Sequence, residues 1–79
     1  MPDYIPIACI EHERLEFAVL RRQRLRLRWL DEEGPTEHGA DILPLDVHTR
    51  DGAEWLVARD GAGIEFAVRL DRILASDPL

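Results

Sequence analysis

Three glutamates and a histidine stand close together near the start of the chain, at positions 11, 12, 13 and 16. They lie in a stretch from about residue 10 to residue 22 that contains no Gly or Pro, so the stretch is predicted to form a helix. An advance of roughly 100° per residue places His12, Glu13 and Glu16 in one polar sector of that helix. A carboxylate-rich sector is either a solvated surface, which is the commoner case, or a contact for a basic partner.

The opposite charge is concentrated directly after this helix. Residues 21–30 contain five arginines and no acid, whereas residues 31–41 contain five acids and no Lys or Arg. Strict alternation from residue 24 to residue 29 predicts a strand with Arg24, Arg26 and Arg28 on one side. These arginines could follow a phosphate backbone, but pairing with Glu54, Glu65 or the acidic segment is the more usual arrangement, and no aromatic ladder for base stacking accompanies them.

No residue pattern predicts catalysis or a cofactor. Cys9 and His12 are one helical turn apart, but no third residue is placed to orient the histidine. His12, His38 and His48 show no metal-ligand spacing. We therefore expect neither an enzyme nor a metal or cofactor site.

Length and composition fit one small soluble domain spanning residues 1–79. The single cysteine cannot form an internal disulfide, and no apolar run reaches the roughly 20 residues that cross a bilayer. We expect a cytoplasmic protein that is monomeric in isolation and has no contact with membranes. The net charge of −6 disfavours tight nucleic-acid binding and favours a basic partner protein.

The remaining segments predict a mainly β fold. Pro6 favours an extended N-terminal arm over residues 1–9. Further strands are predicted at about 42–48, 53–59, 64–70 and 72–75, with Pro44 at an edge or bulge, turns at 49–52 and 60–63, and a flexible tail at 76–79. The fold class is thus α+β, mainly β, with an N-terminal helix packed on about five short antiparallel strands in a strongly bent sheet or small Sm-like barrel. The predicted core is Leu15, Ala18, Val19, Leu25, Leu27, Trp29, Leu56, Ile64, Phe66, Val68 and Ile73.

Motifs in three parts of the chain are similar to those of one known family. The string from Tyr4 to Cys9, Tyr-Ile-Pro-Ile-Ala-Cys, is similar to the opening signature of that family, and Glu13, Leu15-Glu16 and Ala18 follow at the same spacing. Glu54-Trp55-Leu56-Val57 and Arg69-Leu70-Asp71-Arg72-Ile73 are similar to two later family segments. These motifs cover most of the chain, which thus resembles the Rof family of Rho-binding antiterminators.

The resemblance implies an Sm-like fold and a role as an inhibitor of transcription termination factor Rho. Members of the family bind the N-terminal RNA-binding domain of Rho and block RNA loading. The acidic helix face of the family corresponds to Glu11, Glu13 and Glu16 here, with His12 where relatives carry an aromatic residue. These four residues are the predicted partner contacts.

The second half of the chain also resembles WYL modules, another Sm-like group, through residues 42–44, 55–57 and 69–73. This resemblance implies an alternative function, which is binding of nucleic acid or a nucleotide ligand through the face that carries Arg24, Arg26 and Arg28.

Overall fold

One helix packs on a five-stranded antiparallel sheet, which confirms the predicted α+β, mainly β class. The computed structural model describes residue 7 and residues 9–79. The elements are α1 (Cys9–Arg21), β1 (Leu25–Leu30), β2 (Glu37–Arg50), β3 (Ala53–Asp60), β4 (Glu65–Arg69), a short 3-10 helix (Leu70–Arg72) and β5 (Ile73–Pro78). The expected N-terminal arm lies outside the described residues, apart from Ile7, which packs against the core, and Cys9, which begins α1.

Helix α1 ends where the backbone turns left-handed at Arg22, with φ of 53°. The Arg22 N–H donates to the Val19 carbonyl at 3.2 Å, and the Gln23 N–H donates to the Ala18 carbonyl at 2.9 Å. This pair of bonds satisfies two of the carbonyls that a helix end leaves without partners. The helix therefore stops abruptly, and β1 follows after only three residues.

The strands are arranged in the order β4-β3-β2-β1-β5, and every neighbouring pair is antiparallel. Strand β2 has 14 residues, of which the first part pairs with β1 and the second part with β3. Ile42 is paired on both sides, with Leu25 and with Asp60. An edge or a bulge was predicted for Pro44, and the register shift between Pro44 and Asp46 corresponds to the bulge.

Two strands are longer than predicted. Strand β2 begins at Glu37 rather than near residue 42, because its first residues find hydrogen-bonding partners along the whole of β1. Strand β5 continues to Pro78, so residues 76–78 of the expected flexible tail are paired with β1 in the sheet. Backbone pairing with a neighbouring strand decides where both strands begin and end. The local sequence preference of a strand carries little information about that pairing.

The core lies between α1 and the inner side of the sheet. Its buried members are Leu15, Ala18, Leu25, Leu27, Ile42, Leu56, Ala58, Val68 and Leu70. Of the predicted core, Val19, Trp29, Phe66 and Ile73 are only partly buried against this cluster. The prediction for Ile64 is wrong, because this side chain is 61% exposed in the β3–β4 turn, where its N–H donates to the Asp60 carboxylate at 3.0 Å.

The segment around the 3-10 helix ties the acidic turn between β1 and β2 to the body of the protein. Arg69 makes a bidentate contact with Asp71 at 2.7 and 2.9 Å, and both side chains are nearly buried. Arg72 donates to the carbonyls of Asp31 and Gly34 at 2.7 and 2.8 Å. Arg69 and Arg72 therefore have structural roles.

Candidate docking face on helix α1

Helix α1 is apolar on two opposite sides. Its inner side carries Leu15 and Ala18, which are 3% and 6% exposed in the core. Its outer side carries three large apolar side chains that the fold does not cover, namely Ile10, Phe17 and Leu20, with exposed fractions of 65%, 54% and 77%. We call the row formed by Ile10, Glu13, Phe17 and Leu20 the outer face of α1.

Glu13 lies in the middle of the outer face. It is exposed, and it makes no hydrogen bond or ion pair with any other residue that the structure describes. A carboxylate that shares a helix face with exposed apolar side chains can accept a hydrogen bond from a cationic group while those side chains bury apolar surface against the same partner. The outer face thus combines the two properties that a protein contact uses, apolar area and a directed charge.

His12 does not belong to the outer face, because it bridges α1 and β3. Its Nδ1 lies 2.9 Å from Glu16 Oε1, and its Nε2 lies 3.1 Å from Glu54 Oε1. A neutral imidazole carries only one N–H, so both contacts can be hydrogen bonds only when the ring is protonated. The ring is 25% exposed, and it holds two carboxylates at one border of the outer face.

The four predicted contact residues therefore divide into two groups. His12, Glu13 and Glu16 line one shallow depression of 290 Å³ together with Glu54. Glu11 lies toward the other flank of α1, where its carboxylate contacts the Arg14 guanidinium at 3.4 Å. The structure brings three of the four residues together and separates Glu11 from them.

Sequence reasoning missed Glu54 and the exposed apolar residues as parts of this region. Glu54 reaches it from β3, 38 positions after Glu16, and no local pattern connects the two residues. Ile10, Phe17 and Leu20 were signalled by the wide arc of apolar positions on the helix, which exceeds what one buried face requires. An apolar arc that is too wide for the core is the signal that could have identified the outer face.

The second charged surface is the arginine face (Arg24, Arg26 and Arg28). Arg26 donates to both carboxylate oxygens of Asp41 at 2.9 and 3.4 Å, and Arg28 does so to Glu37 at 3.0 and 3.3 Å. Both acids belong to the acidic segment at residues 31–41, so the predicted pairing with that segment is confirmed. The other partners suggested from the sequence are engaged elsewhere, since Glu54 contacts His12 and Glu65 contacts Arg59.

These ion pairs shift the titration of their members. Hydrogen bonds from the arginines, with their positive charge, lower the pKa of Glu37 and of Asp41 below the usual values for carboxyl groups. The same bonds raise the pKa values of Arg26 and Arg28. Both pairs therefore stay charged across the physiological range, and two of the three arginines carry a compensating anion.

A third region combines aromatic and basic side chains. Trp29, Trp55, Arg69 and Arg72 line a depression of 150 Å³. The Trp29 ring stacks on Phe66 with centroids 5.3 Å apart, and the Trp55 ring lies 4.9 Å from the Arg50 guanidinium. Because Arg69 is bound to Asp71 and Arg72 to two backbone carbonyls, this depression offers few donors to a ligand.

Within the described part of the chain, no group of three or more His, Cys, Asp or Glu residues is arranged to hold a metal ion. Cys9 is an exposed free thiol at the start of α1. No helix in the described ranges is long and apolar enough to cross a membrane.

Comparison with known proteins gives a likeness of fold. No protein-family model matches the chain, and no curated protein matches it significantly. Among solved structures, proteasome accessory factor B/C (PafBC) of Arthrobacter aurescens is similar, with a TM-score of 0.76, 20% sequence identity and coverage of 96% of this chain. The match covers 12% of the PafBC chain, so this chain corresponds to a small part of that longer protein. At this identity the likeness concerns the architecture.

Proposed function

We propose that this protein is a non-enzymatic binding module that inhibits transcription termination factor Rho. In this proposal the outer face of α1, together with Glu16 at its border, docks on the N-terminal RNA-binding domain of Rho and prevents RNA from loading. The partner is taken from the resemblance of residues 4–18, 54–57 and 69–73 to the Rof family. Such a role would place the protein in the bacterial cytoplasm.

The observation that carries the proposal is the exposure of Phe17 and Leu20 beside Glu13 on one helix face. A surface that binds RNA supplies cations for phosphates and apolar or aromatic groups for bases. The outer face of α1 offers the complement of both, because the Glu13 carboxylate can contact a cation and the apolar side chains can occupy the positions of bases. The net charge of −6 adds long-range attraction to a basic surface.

The state of the arginine face supports a protein partner over direct RNA binding. Arg26 and Arg28 are each held by a carboxylate, so a phosphate would have to displace Asp41 or Glu37 before it could bind. Glu13 on the outer face of α1 has no such competitor, since it makes no hydrogen bond or ion pair with another described residue. The outer face of α1 is therefore the surface whose charge can bind a partner without first breaking an ion pair.

The proposal is tested by calorimetric titration of the protein into the isolated N-terminal domain of Rho. Glu13→Lys combined with Glu16→Lys should abolish detectable binding, because like charges across an interface cost several kcal/mol. The melting temperature should change by only a few degrees, since exposed charges contribute little to folding.

The matched control is Glu32→Lys combined with Glu33→Lys, which makes the same change of net charge in the exposed turn after β1. This variant should bind Rho with nearly the wild-type affinity. Equal losses in both variants would mean that net charge alone, rather than the α1 face, governs binding. No binding by the wild type would remove Rho as the partner.

A second candidate function is binding of nucleic acid or a nucleotide ligand, in line with the resemblance of the second half to WYL modules. The specific observation in its favour is the row of three arginines on one strand face, of which Arg24 has no carboxylate within ion-pair distance among the described residues. Fluorescence anisotropy with single-stranded RNA separates the two candidates. Submicromolar affinity near physiological salt, lost in Arg24→Glu with Arg26→Glu, would favour the second.

A further inference from the structure

The outer face of α1 has the spacing of a helix-pairing seam. Its residues stand at positions 10, 13, 17 and 20, so the intervals are three, four and three. This alternation is the one by which two helices pack along each other in a coiled coil. Three of the four positions carry exposed apolar side chains, and Glu13 occupies the fourth.

The two flanks of this seam carry opposite charges. Arg14 and Arg21 lie along one side of the seam, and Glu16 lies along the other side. The Arg21 guanidinium lies 5.5 Å from the centre of its own Phe17 ring, beside the seam. If two copies of α1 lay parallel, Glu16 of each copy would face Arg21 of the other, because flanking residues five positions apart meet in parallel pairs.

Glu13 is the misfit in this arrangement. In a parallel pair it would stand against Glu13 of the second copy, in the middle of the buried seam. Two like charges with no cation between them oppose association, and their desolvation adds to that cost. A partner that supplies a cation at this point meets no such penalty.

We propose that Glu13 determines the specificity of the outer face of α1. Its charge prevents two copies from pairing through a seam that is otherwise self-complementary, and it favours a partner that places a basic group opposite Glu13. The inference concerns the face used in the proposed function. Self-association is measured without a partner protein. The proposed role of Glu13 can therefore fail while the proposed binding to Rho holds, and Rho binding can fail while the role of Glu13 holds.

The test is sedimentation equilibrium over a range of protein concentrations. The wild type should remain monomeric, and Glu13→Leu should dimerise at least about a hundredfold more tightly, because two repelling carboxylates are replaced by two buried leucines. Glu13→Gln, which removes only the charge, should fall between the two. Glu33→Leu, the same substitution in the exposed turn after β1, should remain monomeric.

Charge exchange in the Glu13→Leu protein tests the geometry of the pair. Glu16→Arg alone and Arg21→Glu alone should each weaken the dimer about tenfold or more, and the two together should restore it, because the facing charges are again opposite. Antiparallel pairing would instead bring Arg14 near Arg21 of the second copy, so Arg21→Glu would tighten the dimer. Such tightening, a monomeric Glu13→Leu protein, or a wild type that dimerises equally well would each overturn the proposal.

Discussion

Two charged surfaces of this small protein differ in how the fold treats their charges. On the arginine face, Arg26 and Arg28 each make two hydrogen bonds to a carboxylate on the neighbouring strand. On the outer face of α1, Glu13 has no hydrogen-bond or ion-pair partner among the described residues and shares its helix face with exposed apolar side chains. Two of the three charges on the first surface are compensated within the fold, whereas the charge on the second can still gain energy from a partner.

The difference shows that a cluster of like charges in a sequence does not by itself identify a binding surface. The arginine run at residues 21–30 is the more conspicuous of the two patterns, with five basic residues in ten. Strand pairing brings the acidic segment beside it and neutralises most of its face. What distinguishes a binding surface is the charge that remains after folding, together with the apolar area next to it.

Among truncations of single neutral side chains, the largest effect on binding is expected from removing the aromatic ring of the outer face. Phe17→Ala should weaken binding to the Rho N-terminal domain by about 2 kcal/mol, or roughly thirtyfold, because aromatic side chains at the centre of an interface dominate its energy. The unfolding free energy should change little, since Phe17 is 54% exposed. Calorimetric titration and urea unfolding measure the two quantities separately.

Ile64→Ala is the control for this variant, because Ile64 is also apolar and exposed but lies in the β3–β4 turn. It should bind Rho as the wild type does. If Phe17→Ala and Ile64→Ala both bind normally, charge alone carries the contact and the exposed apolar side chains of α1 do not contribute to binding.

An intermediate effect is expected from uncovering the arginine face. Glu37→Gln combined with Asp41→Asn removes the carboxylates that hold Arg26 and Arg28, so affinity for single-stranded RNA should rise about tenfold at low salt, with a steeper dependence on salt concentration. Glu32→Gln combined with Glu33→Gln changes the net charge equally without freeing an arginine. If this control gains as much affinity, the specific pairing is irrelevant and only net charge matters.

The smallest effect concerns the stability of the same ion pairs in acid. The folded-state pKa values of Glu37 and Asp41 lie below their unfolded values, so the pairs stabilise the fold fully above the unfolded pKa. That contribution is lost as the pH falls through the lowered folded pKa values, beginning near pH 4 and continuing below it. Urea unfolding from pH 7 to pH 3 should show a shallower decline for Glu37→Gln with Asp41→Asn than for the wild type. Parallel curves would show that solvent screens these pairs completely.

The fold was predictable wherever a helix, strand or turn has a sequence pattern that does not depend on its neighbours in space. The alternation at residues 24–29 predicted β1, and Asp51-Gly52 predicted the β2–β3 turn, in which both residues have positive φ. Boundaries that depend on a partner strand were not predictable. The start of β2 at Glu37 and the end of β5 at Pro78 follow from pairing with β1, which local sequence does not encode.

The candidate site was predictable only in part for the same reason. Helical periodicity alone placed His12, Glu13 and Glu16 in one sector, and the structure keeps them in one depression. It could not show that His12 turns toward Glu54 on β3, because that contact joins residues 42 positions apart. It also could not show which half of the apolar arc on α1 would remain uncovered.

The sequence by itself determined the helix, the main strands, the acidic charge and the small size of the core, because these depend on short-range periodicity and on composition. Only the tertiary structure decided which charges are neutralised and which apolar side chains stay exposed. Arg26 and Asp41 are 15 positions apart in the chain and meet because β1 and β2 pair in one register. Leu15 and Leu20 are both leucines of α1, and the sheet covers the first and leaves the second in water. The physical reason is that burial and charge compensation depend on neighbours that the chain brings together only when it folds.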